Sequence, residues 1–162
     1  MNHLLPGDVA LARGSGIVDA LIRWGTRSRY NHARLVVDGL GETVEALSSG
    51  AIRRHVQLTD VIVRPPLTGK QRAAIPGIAA SLVGTPYGFL DVAALGLAQF
   101  GITLPSVTRR IARPDRLFCS QLVDEAWREA GFHAFTDGRT PQDVSPGDLA
   151  DLAFRDGWEV VS

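Results

Sequence analysis

The sequence is short of cysteine, of lysine, of long apolar runs and of net charge, and each shortage closes off a class of function. A single cysteine in 162 residues, Cys119, excludes an intramolecular disulfide and with it the small secreted disulfide scaffolds. The thiol is then buried filler, a reactive group or an intermolecular link. Seventeen basic residues balance 17 acidic ones, so the chain lacks the basic excess that a broad nucleic-acid surface requires. Lys70 is the one lysine and the other 16 basic residues are arginine, which leaves almost no lysine chemistry and suits a bacterial or phage gene of high GC content. No run of 18 apolar residues occurs, so no membrane-spanning helix is expected. Met1 to Gly7 lacks the charged and apolar regions of a signal peptide, and the expectation is a cytoplasmic protein. Familiar site motifs are missing too. There is no Gly-x-Ser-x-Gly and no His-Glu-x-x-His, Gly69-Lys70 is followed by Gln71, and neither Gly14-Ser-Gly16 nor Gly39-Leu-Gly41 has the third glycine of a dinucleotide loop.

What is present, 45% hydrophobic and 21% charged residues, describes one globular domain over residues 1–162. Gly7-Asp8 leads into a short strand at Val9 to Ala12, and Ser15 to Trp24 has helical spacing. His32 to Asp38 reads as a strand, Gly39-Leu-Gly41 as a hairpin turn, and Glu42 to Leu47 as its partner strand. Ala51 to Val56 and Val61 to Arg64 complete an antiparallel sheet. Thr68 to Val83 is helical, with Pro76 and Gly77 expected to break or kink it near its first turn. A second apolar helix is expected over Val92 to Phe100, the clearest helix over Ser120 to Ala130 closed by Gly131, and a last strand over Trp158 to Val161 after a loop rich in Pro, Gly and Asp. Strands first and helices later predict an α+β layer fold.

A thiol nucleophile needs a lowered pKa, a base within hydrogen-bond reach and donors for the developing oxyanion. A helix N-terminus supplies the first and third together. Cys119 stands where the Ser120 to Ala130 helix begins, and its own N–H is available to an oxyanion hole. It also shares a helical face with Val123, Ala126 and Ala130, which is the pattern of a small core residue. The base must be one of four histidines. His32 heads a strand behind a polar turn, His55 ends a polar strand, and His3 and His133 lie near a terminus and a helix end. Glu45, on the strand paired to that of His32, lies within reach of its imidazole at the ~4.8 Å spacing of neighbouring strands.

Taken in order, Gly7-Asp8-Val9, Tyr30-Asn31-His32-Ala33-Arg34-Leu35-Val36-Val37, Val44-Glu45-Ala46, Gly84-Thr85-Pro86-Tyr87 and Phe118-Cys119-Ser120-Gln121-Leu122-Val123 resemble the YaeF/YiiX-like permuted papain-like amidases. These are a circularly permuted branch of the NlpC-like cysteine peptidases, and the resemblance extends to Pro146-Gly147-Asp148. It implies a papain-like α+β fold, Cys119 as nucleophile, His32 as general base and Glu45 as the group that orients it. It also implies that the Tyr87 hydroxyl lines the site or its oxyanion hole, beside backbone groups near Cys119 such as that of Ser120. Gly88 and Gln121 stand where the family commonly has acidic residues, and Gly88 points to a different substrate mouth. The implied activity is that of a cysteine-dependent amidase or peptidase working through a thioester, with no metal or organic cofactor.

From Ala73 to Thr108 the only charged residue is Asp91, and Arg109, Arg110, Arg113 and Arg116 follow at once. This shift fits an apolar acyl groove or membrane-facing lid whose arginines meet acidic headgroups, and hence an acyl-lipid amide or ester as hydrolysis or acyl-transfer substrate. Two buried helices followed by a solvated loop fit it more simply, and a cell-wall peptide remains an open substrate class. A non-catalytic binding module of the same fold, holding an acyl chain or a peptide, is the reading from another class. An arginine-mediated nucleic-acid binder has only the Arg109 to Arg116 cluster behind it.

Overall fold

The computed structural model describes residues 3–13, 29–47, 50–84 and 119–161. They form strands β1 (Val9–Ala12), β2 (His32–Val36), β3 (Glu42–Leu47), β4 (Gly50–His55) and β5 (Val61–Arg64), then helices α1 (Gly69–Leu82) and α2 (Cys119–Glu129), a 3-10 turn (Pro141–Asp143), helix α3 (Pro146–Arg155) and strand β6 (Glu159–Val161). The strands make one sheet in the order β4-β3-β2-β1-β5-β6, and all neighbours are antiparallel. The α+β class and the antiparallel sheet agree with the sequence reading.

Strand alternation sorts the sheet into two faces. The register pairs Ala10 with Arg34, Ala12 with His32, Thr43 with Arg54 and Glu45 with Ile52, which puts these residues on one face. Val9, Leu11, Ala33, Leu35, Val44, Ala46, Ala51 and Val63 occupy the other. That second face carries the core, against Ile75 and Ala79 of α1, Leu122, Val123, Ala126 and Trp127 of α2, and Leu149, Ala150 and Ala153 of α3. The chain leaves β4 at one margin of the sheet and re-enters at β5, beyond β3, β2 and β1, so residues 56–60 carry it past three strands.

Several boundaries differ from the sequence reading for identifiable reasons. β2 stops at Val36, because the Asp38 carboxylate accepts the N–H groups of Leu40 and Glu42 at 3.0 and 2.7 Å and draws the backbone into the turn. β4 begins one residue early, at Gly50, and β6 one residue late, at Glu159. Helix α1 runs unbroken through Pro76. Pro76 lies on the exposed side, where water can satisfy the carbonyl it orphans, while Ile75 and Ala79 hold the helix to the core. The segment before β6 is helix α3 rather than loop: Ser145 and Asp148 form a reciprocal capping box and Pro146 occupies the first turn. The expected helices over Ser15 to Trp24 and Val92 to Phe100, and the cluster Arg109, Arg110, Arg113 and Arg116, lie outside the described residues.

Candidate active site

Cys119 opens α2 as described, and α2 packs on β2 and β3, which carry His32 and Glu45. The β2–β3 register, Leu35 with Val44 and Val36 with Thr43, continues to place Glu45 opposite Arg34 and diagonal to His32. Diagonal neighbours on one face are within reach of long side chains. His32 Nε2 is accordingly hydrogen-bonded to Glu45 Oε2. With Nε2 committed, Nδ1 is the ring nitrogen left for the Cys119 thiol, to which His32 is also hydrogen-bonded. The backbone N–H groups of Ala33 and Ser120 are directed at the same sulfur.

The electrostatics follow from this arrangement. Burial alone would push the Cys119 thiol up, but the charge and hydrogen bond of His32, together with the Ala33 and Ser120 N–H groups, bring it below its ordinary value. His32 is pushed up to about 10: burial opposes its charge, and the Cys119 sulfur and the Glu45 carboxylate on its two sides outweigh that opposition. Glu45 is held below the usual carboxylate range, again against burial, first by His32 and then by Arg34. The site therefore favours thiolate and imidazolium over thiol and imidazole. Cys119 is 5% exposed, as a core residue would be, yet its sulfur has polar partners that no core packing requires.

Three further charged residues close around Glu45. Arg34 Nε donates to Glu45 Oε2 at 2.9 Å, Arg54 Nε lies 3.1 Å from Oε1, and Arg34 Nη1 is paired with Asp60 Oδ2. Sequence reasoning did not single out these residues. The available signal was the alternation His32-Ala33-Arg34, which puts an arginine on the face of the proposed base. Asp60, in the crossover after β4, gave no signal at all.

The other expectations resolve individually. His3, His55 and His133 are exposed and have no part in this cluster. The Ser120 hydroxyl is turned away and donates to the Val144 carbonyl, so only the backbone of Ser120 faces the site. Tyr87 lies outside the described residues. Asp8, part of the motif series, belongs to a separate buried cluster, where its carboxylate receives Arg64 Nη2 at 2.9 Å, Arg72 Nη1 at 3.0 Å and the Leu5 N–H at 3.0 Å. Among the described residues no helix is long and apolar enough to cross a membrane.

No protein-family model and no curated protein matches the chain. Among solved structures it is similar to the crystal structure of metalloprotein yiiX from Escherichia coli O157:H7, DUF1105, at 19% identity and a TM-score of 0.59. The match covers 99% of this chain and 89% of that one. This likeness establishes a YiiX-like fold.

Proposed function

We propose that this chain is a cysteine-dependent hydrolase of the permuted papain-like kind, an amidase or peptidase that cleaves an amide or ester through a thioester. The observation that carries the reading is the convergence of Cys119, His32 and Glu45 from α2, β2 and β3 into one hydrogen-bonded chain. The order of elements, His strand before Cys helix, supports the permuted part of this reading.

In this reading the Cys119 thiolate attacks the carbonyl carbon, and the N–H groups at this end of α2 receive the oxyanion. The His32 imidazolium gives its Nδ1 proton to the departing nitrogen or oxygen, which leaves as amine or alcohol. His32, now neutral, takes a proton from water as the oxygen attacks the thioester; the acid departs and the thiolate–imidazolium pair is restored. Glu45 keeps the ring in the orientation that offers Nδ1 to the sulfur. An acceptor other than water makes the same chain an acyltransferase. Substrate classes compatible with the site are peptides, simple amides and acyl-lipid amides or esters.

The similar yiiX structure is that of a metalloprotein. Among the described residues no group of three His, Cys, Asp or Glu is placed to hold an ion.

The test is the pH dependence of iodoacetamide alkylation at Cys119 in the parent and in His32→Ala. The parent is expected to label well below the ordinary thiol value of 9.0. The variant loses the cation that offsets burial, so at pH 7 its labelling should fall by about 100-fold, the thiolate fraction of an unassisted thiol. Slow, His32-independent labelling in the parent would overturn the hydrolase in favour of a binding module.

A further inference from the structure

From Cys119 through His32, Glu45 and Arg34 to Asp60, side chains of opposite charge follow one another as partners. Arg34 is 7% exposed and the Asp60 side chain is fully buried, so neither is an ordinary surface charge. We propose that Arg34, anchored by Asp60, is a positioning residue that fixes the Glu45 carboxylate for His32. The proposal rests on the hydrolase reading above and concerns a group that touches neither the sulfur nor the substrate.

Geometry carries the argument. Glu45 Oε2 accepts from His32 Nε2 and Arg34 Nε at once, so the plane and tilt of the carboxylate are set by two donors on one strand. A carboxylate held by the imidazole alone is free to rotate about its last side-chain bonds, and Arg34 removes that freedom. Asp60 in turn holds Nη1, and its Oδ2 also accepts the Gln57 N–H at 2.8 Å, tying the guanidinium to the crossover between β4 and β5. Arg54 reaches the other oxygen, Oε1, but its side chain is 53% exposed, and solvent screens and loosens that contact. The groups acting on Glu45 are thus His32 and Arg34 from β2 and Arg54 from β4, with Cys119 behind His32 and Asp60 behind Arg34. Two of these partners stabilise the Glu45 anion independently of His32, which keeps the imidazolium counter-charged as acid is added.

The experiment uses the full chain and the iodoacetamide rate at Cys119 as a function of pH. Arg34→Met alone strands Asp60 as a buried, unpaired carboxylate, so the decisive variant is Arg34→Met/Asp60→Asn, which removes one charge of each sign. The double variant is expected to label about tenfold more slowly at neutral pH, the effect of one lost charge-assisted hydrogen bond. Its acid limb should move to higher pH. Arg34→Lys, which keeps the charge but not the fork, should restore the acid limb in part and the rate less. If Arg34 only neutralises Asp60, the double variant will reproduce the parent profile, which would overturn the inference while His32-dependent labelling persists. Labelling that is independent of His32 in the parent overturns the hydrolase reading, and this inference with it.

Discussion

Glu45 is a carboxylate out of water with three cationic partners, and its contribution to stability depends on its staying ionised. His32, then Arg34, hold it below its ordinary value of 4.5 against burial, so the folded state binds its proton less readily than the unfolded chain does. The resulting stabilisation is complete above the ordinary carboxylate range and is lost as the pH falls through the folded value. Glu45→Gln should therefore unfold at lower urea than the parent at pH 7, by about 3 kcal/mol, with the gap closing as the solution is acidified beyond that range. A gap independent of pH would mean that Glu45 is held by shape rather than by charge. Cys119 had a local signature as a helix start, whereas His32 among four histidines, and Glu45 as its partner, stood out only through the order of the motifs along the chain. Arg34, Arg54 and Asp60 were not, since a charged residue within a strand has the same appearance whether it faces water or a buried carboxylate.

Among the elements, the strands were the most legible, because β-branched runs punctuated by Gly39, Gly41 and Pro65 leave few alternatives. Helix α1 was legible in extent but not in continuity. Pro76 denies a donor to the Arg72 carbonyl, but that loss falls on the wet side of a helix whose buried residues, Ile75 and Ala79, are in place. Pro76→Ala should restore the bond and raise the urea midpoint, by about 2 kcal/mol once the greater freedom of the unfolded chain is deducted. Helix α3 was missed although its start is written in the sequence. The Ser145 hydroxyl accepts the Asp148 N–H at 3.1 Å while the Asp148 carboxylate accepts the Ser145 N–H at 2.8 Å. The Pro-Gly pair inside that box looks like a turn, yet both residues are tolerated in a first helical turn. Ser145→Ala should cost about 1 kcal/mol in the same measurement.

For the molecule as a whole the organising contact is not the thiol but Asp8. Its buried carboxylate gathers Arg64 from β5 and Arg72 from α1, and the preceding Gly7 carbonyl receives the Trp127 indole N–H from α2 at 3.1 Å. Gly7 itself has φ +93°, and a Cβ there would stand 2.3 Å from Leu67 Cδ1, so the motif Gly7-Asp8 is spent on joining elements. Asp8→Asn leaves two arginines facing a neutral amide, and we expect a loss of about 3–5 kcal/mol by urea denaturation at pH 7. Arg64 extends the junction: it donates to the His3 carbonyl and pairs with Glu159 of β6 at 3.1 Å, a residue 95 positions further along the chain. Seen from the ribosome, β5 emerges long before the strand that covers its edge. At roughly 5–20 residues per second that interval is about 5–19 s, during which the β5 edge is open to other chains and the sheet waits on its last strand.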